Sequence, residues 1–172
     1  MHDARLGNLL GATALAVTDR MLVGLRTVEG LGASSAAALV ALADAPGLSV
    51  TGLGRGIGLS QPAAARMVDG LERAGLAARS PGAGRAVAVT LTPDGERAAA
   101  QIRATRAAKL DGLVTALDPA DRATLTILLE RLLTQLYADT GCADVLCRLC
   151  DRRCCTDDAI CPVGQAERDR DA

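Results

Sequence analysis

The chain has 172 residues and a mass of 17.5 kDa, which suits one compact domain or a domain with an appendage. It is 49% hydrophobic and 23% charged, which excludes a wholly disordered chain. One Tyr, no Phe and no Trp leave the core to Leu, Val, Ile and Ala, and exclude an aromatic stacking platform for single-stranded nucleic acid.

The net charge of −1 hides an asymmetry. Residues 45–92 carry Arg55, Arg66, Arg73, Arg79 and Arg85 against only Asp69 and Glu72, so a polyanion is expected to meet the middle of the chain. No apolar run of about 18 residues exists, so no membrane contact is expected. The start, Met1-His2-Asp3-Ala4-Arg5, is not a basic segment followed by an apolar one, and a cytoplasmic location is expected. The single His, His2, stands near a terminus and no carboxylate pair is clustered, so no catalytic residues are assigned and the chain is not read as an enzyme.

Leu6, Leu10, Val17, Met21, Leu25 and Val28 form a helical stripe over residues 4–29, stopped by Gly30 and Gly32. Ser34 or Ser35 is expected to cap a short helix holding Leu39, Val40 and Leu42, ended by Pro46-Gly47. Gly52, Gly54, Gly56 and Gly58 alternate, but they fit neither G-x-G-x-x-G nor a P-loop. They predict a short, poor helix capped by Thr51 and held by packing, since each helical Gly costs about 0.8–1 kcal/mol relative to Ala.

Ser60 and Pro62 open the next helix, whose buried face is Met67, Val68, Leu71 and Ala64 and whose left-handed cap is Gly75. Leu76 to Ser80 and Val87 to Leu91 predict a hairpin with Arg79 at its root and Arg85 at its tip. Thr92 caps a long helix to about Leu117, and Asp118-Pro119 opens another with an apolar face of Leu125, Leu128, Leu129, Leu132, Leu133 and Leu136.

Two short helices followed by a basic hairpin describe a winged helix-turn-helix suited to duplex DNA. The second helix fits the major groove with its N-terminal residues at base edges. Gln61 can pair bidentately with adenine, Ala63 and Ala64 allow close approach, and Arg66 reaches a guanine or a phosphate. Thr51, Ser60, Pro62, Arg73, Arg79 and the tip residue Arg85 complete the expected DNA-binding set.

Leu59-Ser60-Gln61-Pro62-Ala63-Ala64-Ala65-Arg66-Met67-Val68-Asp69-Gly70-Leu71-Glu72-Arg73-Ala74-Gly75-Leu76, then Arg79, Gly84-Arg85-Ala86-Val87 and Leu91-Thr92-Pro93-Asp94-Gly95, resembles the MarR family of bacterial regulators. The resemblance spans residues 5–139 and is specific over 59–95. It implies a homodimer, paired through its first and last long helices, that binds a pseudo-palindromic operator in double-stranded DNA, usually as a repressor. It leaves room for a small-molecule effector, although no residues visibly define a ligand pocket. Two departures stand out. Ala83 replaces the Asp of the frequent wing motif Asp-x-Arg, and the first helix of the motif is glycine-rich.

The expected fold is mainly α with a small β-hairpin wing, a winged helix-turn-helix flanked by long dimerisation helices. Residues 1–30 form the N-terminal dimerisation helix, 31–92 the DNA-binding domain, 93–140 the C-terminal dimerisation helices and 141–172 a cysteine-rich tail.

All six Cys lie between Cys142 and Cys161, and in a reducing compartment such a cluster points to metal or redox chemistry. The spacing Cys147-x2-Cys150-x4-Cys155-x5-Cys161 offers four thiolates to one tetrahedral centre. Such a centre would fold a tail otherwise too small and polar to own a core. The choice of Cys155 over Cys154 rests on a resemblance to Cys-Arg-Leu-Cys-Asp…Cys…Cys-Pro-Val endings of some actinobacterial MarR-like sequences, and it leaves Cys142 and Cys154 as spare thiols.

Zinc and an iron–sulfur cluster both accept four thiolates. The unequal spacing and the Cys161-Pro162 ending lean slightly to iron–sulfur. Loss of a redox-active centre is expected to disturb the last dimerisation helix and so the separation of the two recognition helices, which must match half-sites about 34–36 Å apart. Two alternatives stay open: a purely structural zinc tail on a repressor that senses a small molecule, and a redox or electron-transfer protein.

Overall fold

The computed structural model describes residues 2–26, 32–81 and 87–172. The chain runs through helix α1 (His2–Arg26), helix α2 (Ala33–Asp44), strand β1 (Leu48–Ser49), helix α3 (Val50–Gly56) and helix α4 (Gln61–Arg73). Strands β2 (Ala77–Pro81) and β3 (Val87–Leu91) follow, then helices α5 (Pro93–Val114) and α6 (Pro119–Thr140). Three short helices close the chain: α7 (Ala143–Leu146), α8 (Arg152–Thr156) and α9 (Pro162–Asp171). The expected helix end at Val28 and Gly30, and the hairpin tip with Ala83 and Arg85, lie outside the described residues.

The wing is part of a three-stranded antiparallel sheet of order β1-β3-β2, not an isolated hairpin. Leu48 and Ser49 pair with Val89 and Ala88, and Arg79 pairs with Val89 on the other side. β1 is two residues long, too short to show a period-2 pattern in sequence. It also moves a cap. Ser49, extended at the strand end, accepts a 3.0 Å hydrogen bond from the Gly52 amide, so α3 is capped by Ser49 and Thr51 lies inside its first turn. Likewise α2 starts at Ala33 with Gly32 as its N-cap, ahead of both expected serines. Ser60 occupies the N-cap position of α4, but its hydroxyl makes no capping hydrogen bond.

The core is aliphatic, as the composition requires. Leu39 and Leu42 of α2, Leu53 of α3, Val68 and Leu71 of α4, Val89 of β3 and Ile102 of α5 are each at most 1% exposed. Ala36, Ala37 and Ala38 are also buried, and small side chains there bring α2 close to its neighbours. α5 packs along both α1 and α2, so the long helices grip the winged unit directly.

The junction between wing and α5 is tightly fixed. The Thr92 hydroxyl donates to the Gly75 carbonyl at 2.6 Å and accepts from the Gly95 amide at 3.1 Å. Gly75 takes the left-handed conformation expected of it, with φ +71°. A β-carbon on Gly95 would lie 1.9 Å from the Leu76 carbonyl oxygen, so only glycine fits in the Thr92-Pro93-Asp94-Gly95 turn. At the next junction Asp118 caps α6 by accepting from the Asp121 amide at 2.8 Å.

The C-terminal segment was expected to lack a core and instead has a small one. Tyr137 of α6, Ala143 of α7 and Val163 of α9 are buried together, with Leu133, Leu146, Cys147, Cys161 and Ala166 packed around them. The Arg170 guanidinium lies 5.2 Å from the centre of the Tyr137 ring and donates to the Gly141 carbonyl at 3.0 Å. Among the described residues no helix is long and apolar enough to cross a membrane.

Candidate nucleic-acid interface and cysteine cluster

α3 and α4 meet through a short turn in which Gly58 has φ +74° and the Leu59 amide donates to the Gly54 carbonyl at 2.8 Å. The turn presents the first residues of α4 to solvent. Ser60, Gln61 and Pro62 are exposed, Ala63 is half-buried, and Arg66 one turn on is exposed. Thr51 is exposed in the first turn of α3, and Arg73 is exposed in the last turn of α4.

Two expected contact residues stand differently. Ala64 is 0% exposed, its methyl turned into the α3–α4 contact, so it belongs to the buried face and not to the groove-facing set. Arg79 is bound back onto α4. Its guanidinium is 2.8 Å from Asp69 and is also paired with Glu72, whose other carboxylate oxygen accepts from the Arg79 amide at 2.9 Å. The Asp69 hydrogen bond heads the causes that raise the Arg79 pKa. Arg79 is thus a strut between the wing root and α4. It also neutralises the acids of α4. Among the described residues Arg55, Arg66 and Arg73 make no ion pair, so the exposed flank of the helix pair is positive. Arg55, exposed on α3, was not singled out in sequence because the glycines around it obscured the helix.

The tail lies against this same helix pair. Asp144 and Val145 of α7 face Gly56 and Gly58: β-carbons there would stand 3.5 Å from Asp144 Cβ and 3.7 Å from Val145 Cγ1. Leu149 packs against the main core. Arg152 bonds Asp144 at 2.6 Å and lies 3.9 Å from Asp44 at the end of α2, which Arg103 of α5 also holds. The sequence carried one signal of this docking, Gly56 and Gly58 at the end of α3 and in the turn after it.

Cys147, Cys150, Cys155 and Cys161 line one cavity of about 290 Å3, and neither Cys142 nor Cys154 lines it, although Cys155 is as exposed a position as Cys154. Hydrogen bonding between Cys147 and Cys150 is the leading influence on both thiols, and burial with the neighbouring Cys150 and Cys161 raises Cys155. The bond from Cys147, helped by the positive charges of Arg106 and Arg152, lowers the Cys150 thiol to about 6 despite its burial. The same bond and burial push Cys147 up. Among the described residues, no group of three or more His, Cys, Asp or Glu side chains is placed to hold a metal ion.

Residues 29–86 match the model of the MarR family. No curated protein matches the chain. Among solved structures, the MarR family protein Rv2887 of Mycobacterium tuberculosis is 26% identical, with a TM-score of 0.62 over 76% of this chain and 95% of its own. Rv1404 of the same organism is also 26% identical, with a TM-score of 0.65 over 76% of this chain and 90% of its own. MepR, which regulates the multidrug efflux pump MepA of Staphylococcus aureus, shares the fold at 17% identity, with a TM-score of 0.68 over 76% of this chain and 97% of its own. Rv2887 has been solved with DNA, with p-aminosalicylic acid and with salicylic acid. Residues 29–86 of this chain are thus similar to the MarR family, the winged-helix body shares the fold of solved MarR family proteins, and a cysteine-bearing segment follows it.

Proposed function

We propose that the protein is a homodimeric regulator of transcription that binds a pseudo-palindromic site in double-stranded DNA, acting as a repressor. One observation carries the reading: the exposed start of α4, with Gln61 and Arg66 outward while Arg79 pairs with Asp69 and Glu72, the two acids of the same solvent face. α4 is 13 residues long, about 20 Å, and a helix of that kind fits a major groove about 12 Å wide. Gln61 reads a base edge, Ala63 permits close approach, and Arg66 takes a guanine or phosphate. Thr51, Arg55 and Arg73 bind the backbone on either side. Rv2887, 26% identical, has been solved in complex with DNA, which supports DNA as the partner.

The dimer follows from apolar surface at both ends of the chain. Leu6, Leu9, Leu10 and Leu15 of α1 are exposed, as are Leu128, Leu129, Leu132 and Leu136 of α6. Faces of that extent are covered in solution. A second copy covers them with self-complementary surface and sets two α4 helices about one turn of DNA apart.

The test is retention of a fragment of the protein's own promoter. Wild type shifts it with a steep salt dependence, and Gln61→Ala with Arg66→Ala weakens binding by tenfold or more, about 1.4 kcal/mol. Unchanged retention by the double variant removes α4 as the reading helix. A small-molecule effector is the second reading, favoured by the salicylate complexes of Rv2887. Salicylate that neither raises the melting temperature nor releases DNA removes it.

A further inference from the structure

We propose that Cys147, Cys150, Cys155 and Cys161 together hold one zinc-type divalent ion, and that the loaded tail braces α3 of the helix-turn-helix from behind. The metal site stands on the cysteine geometry alone. Its effect on DNA rests on the reading in the preceding subsection.

Four sulfurs facing one cavity are a soft, all-thiolate donor set, which selects thiophilic ions over oxygen-seeking ones. All four share the wall of this one cavity of about 290 Å3. A single tetrahedral ion with bonds of about 2.3 Å spaces its sulfurs by about 3.8 Å, so neighbouring thiols close on it with small rotations. A cubane cluster interposes its own iron and sulfide atoms and needs the four thiolates spread more widely. Binding replaces the shared thiol protons by four metal–sulfur bonds. The ion takes up four thiolates, the remaining thiol protons pass to solvent, and no oxidant or reductant is involved.

The scaffold suits the task. Cys147 ends α7, Cys155 lies in α8, and Cys161 caps α9 with its sulfur 3.5 Å from the Gly164 amide. A divalent ion with four thiolates carries a net negative charge, which Arg106 and Arg152 are placed to offset near Cys150. Among the described residues the core beneath has three buried residues, Tyr137, Ala143 and Val163. That is too little apolar surface to order the tail alone, so metal binding supplies folding free energy.

The coupling follows from the residues between the ligands. Leu146, just before Cys147, enters the tail core, while Leu149, just before Cys150, enters the main core. One Cys-x2-Cys turn therefore pins both cores at once. Asp144 and Val145 lie over Gly56 and Gly58, and Arg152 ties the tail to Asp44. α3 positions α4, so a metal-ordered tail fixes the reading helix through α3. The tail also packs on α6 through Tyr137, so the path expected from sequence, through the last dimerisation helix, stands beside this one.

The test uses the full chain purified anaerobically in reductant. One zinc per chain by elemental analysis is expected, together with visible bands of tetrahedral thiolate cobalt after exchange. Cys150→Ser and Cys161→Ser abolish both, whereas Cys142→Ser and Cys154→Ser keep them. No metal, metal that survives Cys161→Ser, or iron with acid-labile sulfide overturns the site as stated. Stripping wild type with a chelator avoids reliance on variants that fail to fold. Amide exchange over residues 50–58 should quicken about tenfold on stripping, and unchanged exchange overturns the brace. Promoter affinity should fall about fivefold or more on stripping, and equal affinity overturns the coupling. A loaded protein that never binds DNA overturns the regulator reading while the metal and exchange results stand.

Discussion

Gly54 on α3 faces Ala64 on α4 so closely that a β-carbon on the glycine would stand 2.7 Å from the alanine methyl. Both positions belong to rigid helix backbone, so neither can yield as a flexible side chain would. The closeness of the two helices depends on the pair of small residues. In a solvent-exposed helix Gly→Ala stabilises by about 1 kcal/mol, but here the contact dominates. Gly54→Ala is expected to destabilise the protein by about 1–3 kcal/mol in urea unfolding. Gly112→Ala on α5, where a β-carbon meets nothing within 4 Å, is the control and should be neutral or stabilising. Equal stabilisation by both substitutions would show that α3 and α4 are not in contact there.

Arg79 and Arg66 should separate by readout. Arg79 is tied to Asp69 and Glu72, so Arg79→Ala should lower stability by no more than about 1 kcal/mol, less at high salt. Arg66 is exposed and makes no ion pair among the described residues, so Arg66→Ala should leave stability alone and lower the salt slope of promoter binding by about 1. Urea melts and binding isotherms across a salt series measure both. An Arg79 variant with the larger change in slope would return that residue to the DNA-facing set.

Dimerisation should fail when α6 is charged. Leu132 and Leu136 are 41% and 47% exposed in the single chain. Leu132→Arg with Leu136→Arg should reduce the mass by light scattering from twice 17.5 kDa to 17.5 kDa. It should also abolish promoter retention at concentrations where wild type binds.

Tyr137 offers a test of the tail core. Its ring is buried and its hydroxyl has no partner among the described residues, so burial pushes the phenol pKa up. A buried hydroxyl without a partner opposes folding. Tyr137→Phe is therefore expected to keep or raise the melting temperature, whereas Tyr137→Ala should lower it and loosen the tail. As the chain's single aromatic residue, Tyr137 also supplies the near-ultraviolet dichroism of the wild type, which should collapse on chelation. A signal indifferent to chelation would separate tail packing from metal.

The winged unit was legible because its signals are local. Ser60 and Pro62 at a helix start, Gly75 at a helix end and Thr92-Pro93-Asp94-Gly95 at the next are each read within a few residues. The structure supplies partners for most of them, and the family match over residues 29–86 falls on this part. What was not legible depends on contacts distant in sequence. β1 exists because β3 pairs with it, about forty positions later. Ala64 reads both as a buried-face and as a groove-facing residue until Gly54 is seen against it. Arg79 reads as a free cation until β2 returns it to Asp69 and Glu72. The four cavity-lining cysteines were legible as a spacing, but their neighbour was not. A tail following α6 in sequence folds back onto α3, through Leu149 and a pair of glycines.

That arrangement changes what the glycines of α3 mean. Asp144 and Val145 lie against Gly56, the last residue of α3, and Gly58 in the turn after it, so that β-carbons there would meet them at contact distance, 3.5 and 3.7 Å. The helix has, in effect, moved part of its surface onto a different stretch of chain. Cutting the chain after α6 therefore does more than remove an accessory. It exposes bare backbone on a helix with poor intrinsic propensity, and the motif loses the cover that substitutes for its missing side chains.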